Sequence, residues 1–436
     1  MSKRWFTGFH VVLVMVLSLL LAQPAAAELT IEVTKGDKDA TPIAVVPFEW
    51  QAAGRPTDDI STIISSDLYR SGMFNPLARS DMISWPTNAQ QVFFDEWKKL
   101  GTEYLVIGRW KQDGEKSFTA SFEIFDVFQG RSIKSDTVTA TNARWLAHYA
   151  ADRIFEALTG IKGAFATKLL YVTMERLQYR KQRYRLYVAD SDGFNEKKIL
   201  ESSEPILSPS WAPNGRSIAY VAFRNSHPGI YYQDIVTGLS RRLTSFPGLN
   251  GAPRFSPDGQ KLAMTLSKDG NPEIYVMDLR TQSAPVRVTN HYAIETEASW
   301  SPDGGAVIFT SDRSGGPQIY RQSLATGTAE RLTFDGNYNA RASITPDGRF
   351  LAMVHQDPGG FQVAVQDLER GTFNIVTDTA LDESPSIAPN GIMVIYATLD
   401  RGRGILGVVS IDGRVKVRLP SSVGDVREPA WSPFMY

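Results

Sequence analysis

Histidine is the side chain most often recruited for proton transfer and metal binding, and the chain has five. Four of them, His148, His227, His291 and His355, lie beyond the N-terminal apolar segment. No two have the His-x-x-x-His spacing that holds zinc on one helix face. There is no Gly-x-Ser-x-Gly elbow to expose a serine nucleophile. There is also no Gly-Lys pair of a phosphate-binding loop. Cysteine is absent altogether, which excludes disulfides, iron–sulfur clusters, thiolate zinc sites and a cysteine nucleophile. Asp190-Ser191-Asp192-Gly193 opens like a calcium loop but lacks the remaining ligands at their spacing, so it reads as a strand-joining turn. Tyr179-Arg180-Lys181-Gln182-Arg183-Tyr184-Arg185 is a basic-aromatic cluster of the kind that touches RNA or lipid headgroups. With 46 Lys+Arg against 47 Asp+Glu in the chain, it reads instead as a solvated loop. These residues point to no enzyme, no metal, no cofactor and no nucleic-acid partner.

The elements that could present a binding surface are set by a repeat. Pro209-Ser210-Trp211-Ala212-Pro213-Asn214-Gly215 returns as Pro253-Arg254-Phe255-Ser256-Pro257-Asp258-Gly259 and as Ala298-Ser299-Trp300-Ser301-Pro302-Asp303-Gly304. It returns again around Pro346 and Pro389, and a truncated copy, Pro429-Ala430-Trp431-Ser432-Pro433, follows. The prolines at 213, 257, 302, 346, 389 and 433 are 44, 45, 44, 43 and 44 residues apart. That period is the one expected of four-stranded propeller blades. Pro-Asp-Gly predicts a hairpin turn: proline presets φ, aspartate bonds its own backbone, and glycine takes positive φ. Second strands follow at 217–222, 261–266, 306–310, 350–354 and 393–397. Third strands are clearest at Glu273–Asp278 and Gln318–Tyr320. Fourth strands end on Thr244, Thr289, Thr333 and Thr377, with arginines suited to an outer edge that must resist pairing. The repeated aromatics Trp211, Phe255, Trp300 and Trp431 read as blade-packing residues, not as a stacking platform for a ligand.

Residues 168–172, 184–189 and 197–200 read as second, third and fourth strands without a first. Residues 429–432 read as a first strand without followers. The expected domain, 161–436, is therefore an all-β six-bladed β-propeller closed by a shared first/last blade. Its inner-strand loops converge on one mouth of the channel. They read Leu249-Asn250-Gly251-Ala252, Glu295-Thr296-Glu297, Tyr338-Asn339-Ala340-Arg341 and Leu381-Asp382-Glu383. They are read as polar and differ from blade to blade, as a binding face of a repeat protein does.

Residues 41–160 carry no such repeat and predict a small α/β domain. Pro42–Pro47 reads as a buried strand. Thr57-Asp58-Asp59 caps a helix bearing Ile60, Ile63, Ile64 and Leu68. Residues 89–100 read as a second helix and 103–108 as a strand. Residues 116–128 and 131–141 form a hairpin turning at Gly130. Asn142 caps a third helix with Leu146, Ala150, Ile154 and Leu158 on one face, ended by Gly160.

At the N-terminus, Lys3 and Arg4 precede an apolar run from Val11 to Ala22 and then Ala25-Ala26-Ala27. This is the pattern of a signal peptide (residues 1–27) cut before Glu28, and the run is short for a membrane span of about 20 residues. The exported protein is expected to be soluble. Residues 28–40 form an arm in which Glu28-Leu29-Thr30-Ile31-Glu32-Val33-Thr34 alternates like a strand.

Taken together, the arm, the Pro42-Ile43-Ala44-Val45-Val46-Pro47-Phe48 segment and the repeats resemble the TolB family, periplasmic components of the Tol–Pal envelope system. Asn250–Gly259, Tyr275–Leu279, Leu381–Pro385 and Pro429–Pro433 are the most specific stretches. The resemblance implies a non-enzymatic monomeric adaptor in the periplasm. It implies binding of the peptidoglycan-associated lipoprotein Pal at the mouth, through Asn250, Gly251, Ala252, Thr296, Glu297, Asn339, Asp382 and Glu383. It implies binding of TolA by the arm, through Glu28, Leu29, Thr30, Ile31, Glu32, Val33 and Thr34. It further implies support of outer-membrane integrity and of constriction at cell division, with contacts to other outer-membrane proteins and subversion by colicins in some species. Pal occupancy would draw the arm onto the body and hide it from TolA. Many family members carry histidine where this chain has Leu249. Competing readings are a propeller lid on a hydrolase domain beyond Tyr436, a metal-dependent lactonase or sugar dehydrogenase, and a glycan binder.

Overall fold

A computed structural model describes residues 31–32, 40–56, 58–419 and 424–435. The expected signal peptide with its cleavage site, and the arm residues Glu28, Leu29, Thr30, Val33 and Thr34, lie outside the described residues. Among the described residues, no helix is long and apolar enough to cross a membrane.

The N-terminal domain is built on a mixed sheet. Strand Thr41–Val45 pairs in parallel with Phe74–Pro76 and with Tyr104–Gly114. From there the sheet continues antiparallel through Ser117–Asp126 and Arg131–Ala140. Helices α1 (Ile60–Arg70) and α3 (Ala143–Thr159) cover one face, joining Ile64, Leu68, Leu146 and Ile154 to Ile43 and Val106 in one core. Both begin where the sequence places a cap. Asp59 accepts from the backbone N–H of Ser61 and Thr62 at 3.1 and 3.3 Å, and Asn142 from that of Trp145 at 2.8 Å. Gly160, at φ 74°, ends α3 in the left-handed conformation that a residue with a Cβ resists.

The helix expected over 89–100 is divided. A 3₁₀ turn spans Ala89–Gln91, Val92 is extended, Phe93 lies outside the helical region, and only Phe94–Lys99 (α2) is helical. Extending the chain there drops β-branched Val92 into the apolar layer that also takes fully buried Trp97. A continuous helix would start from a segment with poor propensity.

Six antiparallel sheets follow, each contributing four propeller strands, with a fifth strand added to one of them. Blade 1 begins at Ile206, blade 2 at Asn250, blade 3 at Glu295, blade 4 at Asn339 and blade 5 at Glu383. Blade 6 takes three strands, Lys168–Arg176, Gln182–Asp190 and Lys197–Ser202, from the beginning of the domain. Its inner strand is Asp425–Trp431, which pairs with Lys168–Arg176 in the register Trp431↔Leu169. Indole N–H groups link neighbouring blades. Trp211 Nε1 donates to the Ala430 carbonyl at 3.2 Å, and Trp300 Nε1 to the Arg254 carbonyl at 3.0 Å. The turns work as their composition predicts. Asp258 accepts from Gln260 N at 3.0 Å, and Ser256 Oγ accepts from Lys261 N at 2.9 Å. Three of the four repeated threonines brace a third strand: Thr289, Thr333 and Thr377 accept from Ile274, Ile319 and Val363 N–H at 2.8 to 2.9 Å, whereas the buried Thr244 hydroxyl makes no such bond.

The arm contributes Ile31–Glu32, paired antiparallel with the outer strand Lys416–Leu419 of blade 5 (Ile31↔Val417, Glu32↔Lys416). Blade 5 is thereby a five-stranded sheet.

If the exchange of Asp425–Trp431 into blade 6 holds the ring shut, deleting residues 429–436 should lower the melting temperature of the whole propeller by about 10 °C or more. An unchanged melting temperature would contradict this.

Candidate functional site

Every inner strand makes the same departure from regular pairing. The register against the second strand shifts between Leu207 and Ser210, Gly251 and Arg254, Thr296 and Ser299, Ala340 and Ser343, Glu383 and Ser386, and Arg427 and Ala430. Within each shift one non-glycine residue has positive φ: Ser208 (47°), Ala252 (46°), Glu297 (56°), Arg341 (56°), Ser384 (57°) and Glu428 (53°). These are β-bulges, which re-aim a strand's side chains at the expense of ladder bonds. Here they ring the channel just inside the mouth.

Four of the bulge side chains converge. Arg341 bonds Glu428 at 2.7 Å, Glu297 at 3.0 Å and the Ser384 hydroxyl at 2.7 Å. The bulge N–H groups of Glu297 and Arg341 are taken up by the hydroxyls of Thr265 and Thr310 in the preceding blades, at 3.2 and 3.0 Å. Burial works against the Arg341 charge, but Glu428 and Glu297 more than offset it and hold the guanidinium above its ordinary range. Burial raises Glu297, with Arg341 opposing, and burial and Arg341 both depress Arg254 below them. The space left among Arg254, Glu297, Arg341 and Ser384 is about 20 Å³. The opposite end of the channel, lined by Trp211, Phe255, Trp300 and Trp431, holds about 490 Å³.

The expected site residues divide into two groups. Asn250, Asn339 and Asp382 are buried and brace the loops. Asn250 bonds the Phe246 N–H at 3.0 Å and carbonyl at 2.7 Å. Asn339 donates to Gln318 at 3.0 Å and the Asp335 carbonyl at 2.8 Å. The Asp382 carboxylate accepts from the hydroxyls of Thr377 and Thr379. Gly251, Ala252, Thr296, Glu297 and Glu383 are partly exposed at the mouth. Burial, with Glu428 adding to it, raises Glu383.

The reading of the loops as polar is corrected by what precedes each bulge. Leu249, Ile294 and Leu381 stand three residues before Ala252, Glu297 and Ser384, and are 43, 50 and 53% exposed. Half-buried Tyr338 takes the same place in blade 4, against Phe361. The mouth is an apolar crown around a charged centre. The signal was present in the spacing of 249, 294, 338 and 381, which follows the proline period.

Residues weighed for other chemistry lie apart from the mouth. Asp190 is bonded by Lys168 at 2.9 Å and Asn195 at 2.6 Å, and Asp192 is paired with Arg144. Tyr179 sits at a hairpin tip, 91% exposed, while Arg183 and Arg185 are paired with Glu175 and Glu201. His148 is buried in α3 against Asp67, and His355 contacts Asn339.

Replacing Arg341 with alanine leaves Glu297 and Glu428 facing each other without the cation that bonds both, and with only Arg254 beneath them. The expected cost is about 3 kcal/mol by denaturant unfolding. Both carboxylates would then resist ionisation, so the loss should be greater at pH 8 than at pH 5. Wild-type stability, or a loss independent of pH, would contradict this.

Comparison with known proteins agrees with this architecture. The family model for the TolB amino-terminal domain matches residues 29–133, and that for the TolB beta propeller domain matches 155–435. The Tol-Pal system protein TolB of Pseudomonas aeruginosa is 48% identical over 420 residues, 95% of this chain and 97% of that protein. Its namesake from Alcanivorax borkumensis is 51% identical over 437 residues, covering 100% and 99%. The crystal structure of TolB from Acinetobacter baumannii has a TM-score of 0.84 at 43% identity, covering 93% of this chain and 100% of that one. The chain belongs to the TolB family of the Tol-Pal system.

Proposed function

We propose that the chain is a non-enzymatic periplasmic adaptor. Its propeller mouth binds the lipoprotein Pal, its N-terminal arm binds TolA, and the pair of contacts supports outer-membrane integrity and envelope constriction at division. Colicins would reach the same mouth in some species, and other outer-membrane proteins would be further partners.

The observation that carries this reading is the mouth itself. Exposed Leu249, Ile294 and Leu381 surround the Glu297–Arg341–Glu428 network, and the space beneath is about 20 Å³. That volume holds about one water, not a substrate. An apolar crown around a polar centre suits a protein surface, where a few buried anchors supply most of the energy. Gly251, Ala252, Thr296, Glu297 and Glu383 are the contact residues in this account, with Asn250, Asn339 and Asp382 holding their loops. The arm reading rests on the short pairing of Ile31–Glu32 with the blade 5 edge. Among the described residues two of the arm pair with the body, and a contact of that size lets a modest free-energy difference decide whether the segment lies on the body or on a partner.

Calorimetric titration of the mature chain with the soluble domain of Pal tests the mouth. Leu249→Asp and Leu381→Asp, both on the exposed crown, should each weaken binding about tenfold or more, and bulky replacement of Thr296 and Glu297 should abolish it. Unchanged affinity in all of these would refute the assignment. Deleting residues 28–34 should abolish TolA binding while Pal binding survives; retained TolA binding would refute the arm's role.

A further inference from the structure

The two domains meet across a buried cluster of charged groups that the adaptor reading does not use. From α1 come Asp67 and Arg70, and from α3 come Arg144, His148 and Asp152. The propeller side supplies Lys168 and the turn Asp190-Ser191-Asp192 of blade 6. His148 and Asp67 are fully buried, and Arg70, Asp152, Asp190 and Asp192 nearly so. His148 Nδ1 bonds Asp67 at 2.6 Å, and Asp67 is also paired with Arg70. Arg70 then crosses to the propeller and donates to the Ser191 carbonyl at 3.0 Å. On the other side of the ring, His148 Nε2 has no hydrogen-bond partner, and it faces Asp192 at 3.6 Å. Asp192 is paired with Arg144 from the turn of α3 before His148.

We propose that His148 is a proton-operated latch between the domains: its imidazolium lies between Asp67 of the N-terminal domain and Asp192 of the propeller, and loss of the proton loosens the seam. Only the imidazolium carries an N–H on both ring nitrogens, one bonded to Asp67 and the other directed at Asp192. A neutral imidazole that donates from Nδ1 to Asp67 turns its Nε2 lone pair toward the Asp192 carboxylate, a repulsion that exclusion of water strengthens and opening of the seam relieves.

The titration has a definite sign. Burial pushes the His148 imidazole down, but Asp67 and Asp192 outweigh burial and raise it. Burial likewise pushes Asp67 up, and the charges of His148 and Arg70 overcome it. A raised histidine contributes stability that is full below its ordinary value near 6.5 and fades as pH climbs through the folded-state value. Asp152 adds to this. Burial pushes its carboxyl up to about 7, against the Phe165 and Ala166 N–H groups it accepts at 2.7 and 3.2 Å. Its proton is therefore favoured by the closed seam and is lost in the same direction.

The absence of cysteine makes the test direct. Gln129→Cys in the N-terminal domain and Thr237→Cys in the propeller accept a fluorophore pair for single-molecule distance measurement in the mature chain. One narrow distance is expected at a pH of about 5.5, and a second, longer population at about 8.5. Each unit by which the seam raises His148 changes the ratio about tenfold. His148→Gln should lose most of the difference between the two pH values, leaving only the part that Asp152 supplies. Superimposable wild-type distributions, or a His148→Gln variant that keeps the wild-type response, would overturn the proposal. Should that variant fail to fold, proton NMR of the wild-type imidazoles decides. One resonance must titrate above the ordinary histidine value of about 6.5 together with the distance change; four resonances at or below that value would overturn it.

Discussion

The mouth depends on a backbone constraint repeated six times. One residue in each inner strand is driven to positive φ, a conformation that costs a non-glycine residue about 1 kcal/mol or more. Glycine would remove that cost, yet the six positions hold Ser, Ala, Glu, Arg, Ser and Glu. At 297, 341, 384 and 428 the side chains explain this. Without the bulges, Glu297, Arg341 and Glu428 would follow the strand alternation and could not converge from three blades. Thr265 and Thr310 take up the N–H groups that two of the bulges release. The ion network thus offsets the strain that makes it possible, and the apolar crown sits on the loops just before it.

Much of the fold was legible because it is periodic. A step of 43 to 45 residues in the prolines located blades, turns and bracing threonines without reference to neighbours. Asn142 and Gly160 marked α3 by local chemistry alone. The bulges were not legible, because no residue type at 208, 252, 297, 341, 384 and 428 advertises positive φ. Asn250, Asn339 and Asp382 were misleading for a related reason. A polar residue in a loop looks the same whether it faces a partner or ties the loop to itself, and only burial distinguishes the two. The crown escaped notice because a lone exposed leucine is ordinary on any surface; its meaning comes from four equivalent places brought together by the ring. The division of the helix expected over 89–100 reflects burial of Val92, a tertiary demand that local propensity does not carry.

The N-terminal domain and the arm engage the propeller differently. The domain seam is tight: Gly72 lies where a Cβ would fall 2.2 Å from Val415, and Arg70 reaches the Ser191 carbonyl. The arm adds a short strand to an open edge, where Lys416 and Arg418 carry the charges that discourage other strands. One contact is therefore suited to holding orientation and the other to exchange.

Hydrogen–deuterium exchange of the mature chain, with and without the soluble domain of Pal, shows whether the crown is the docking face. Slowed exchange is expected to concentrate in the segments around 207–208, 249–252, 294–297, 338–341 and 381–384. Protection confined to the Trp211–Trp300–Trp431 end of the channel, to the outer strands or to the N-terminal sheet would contradict it.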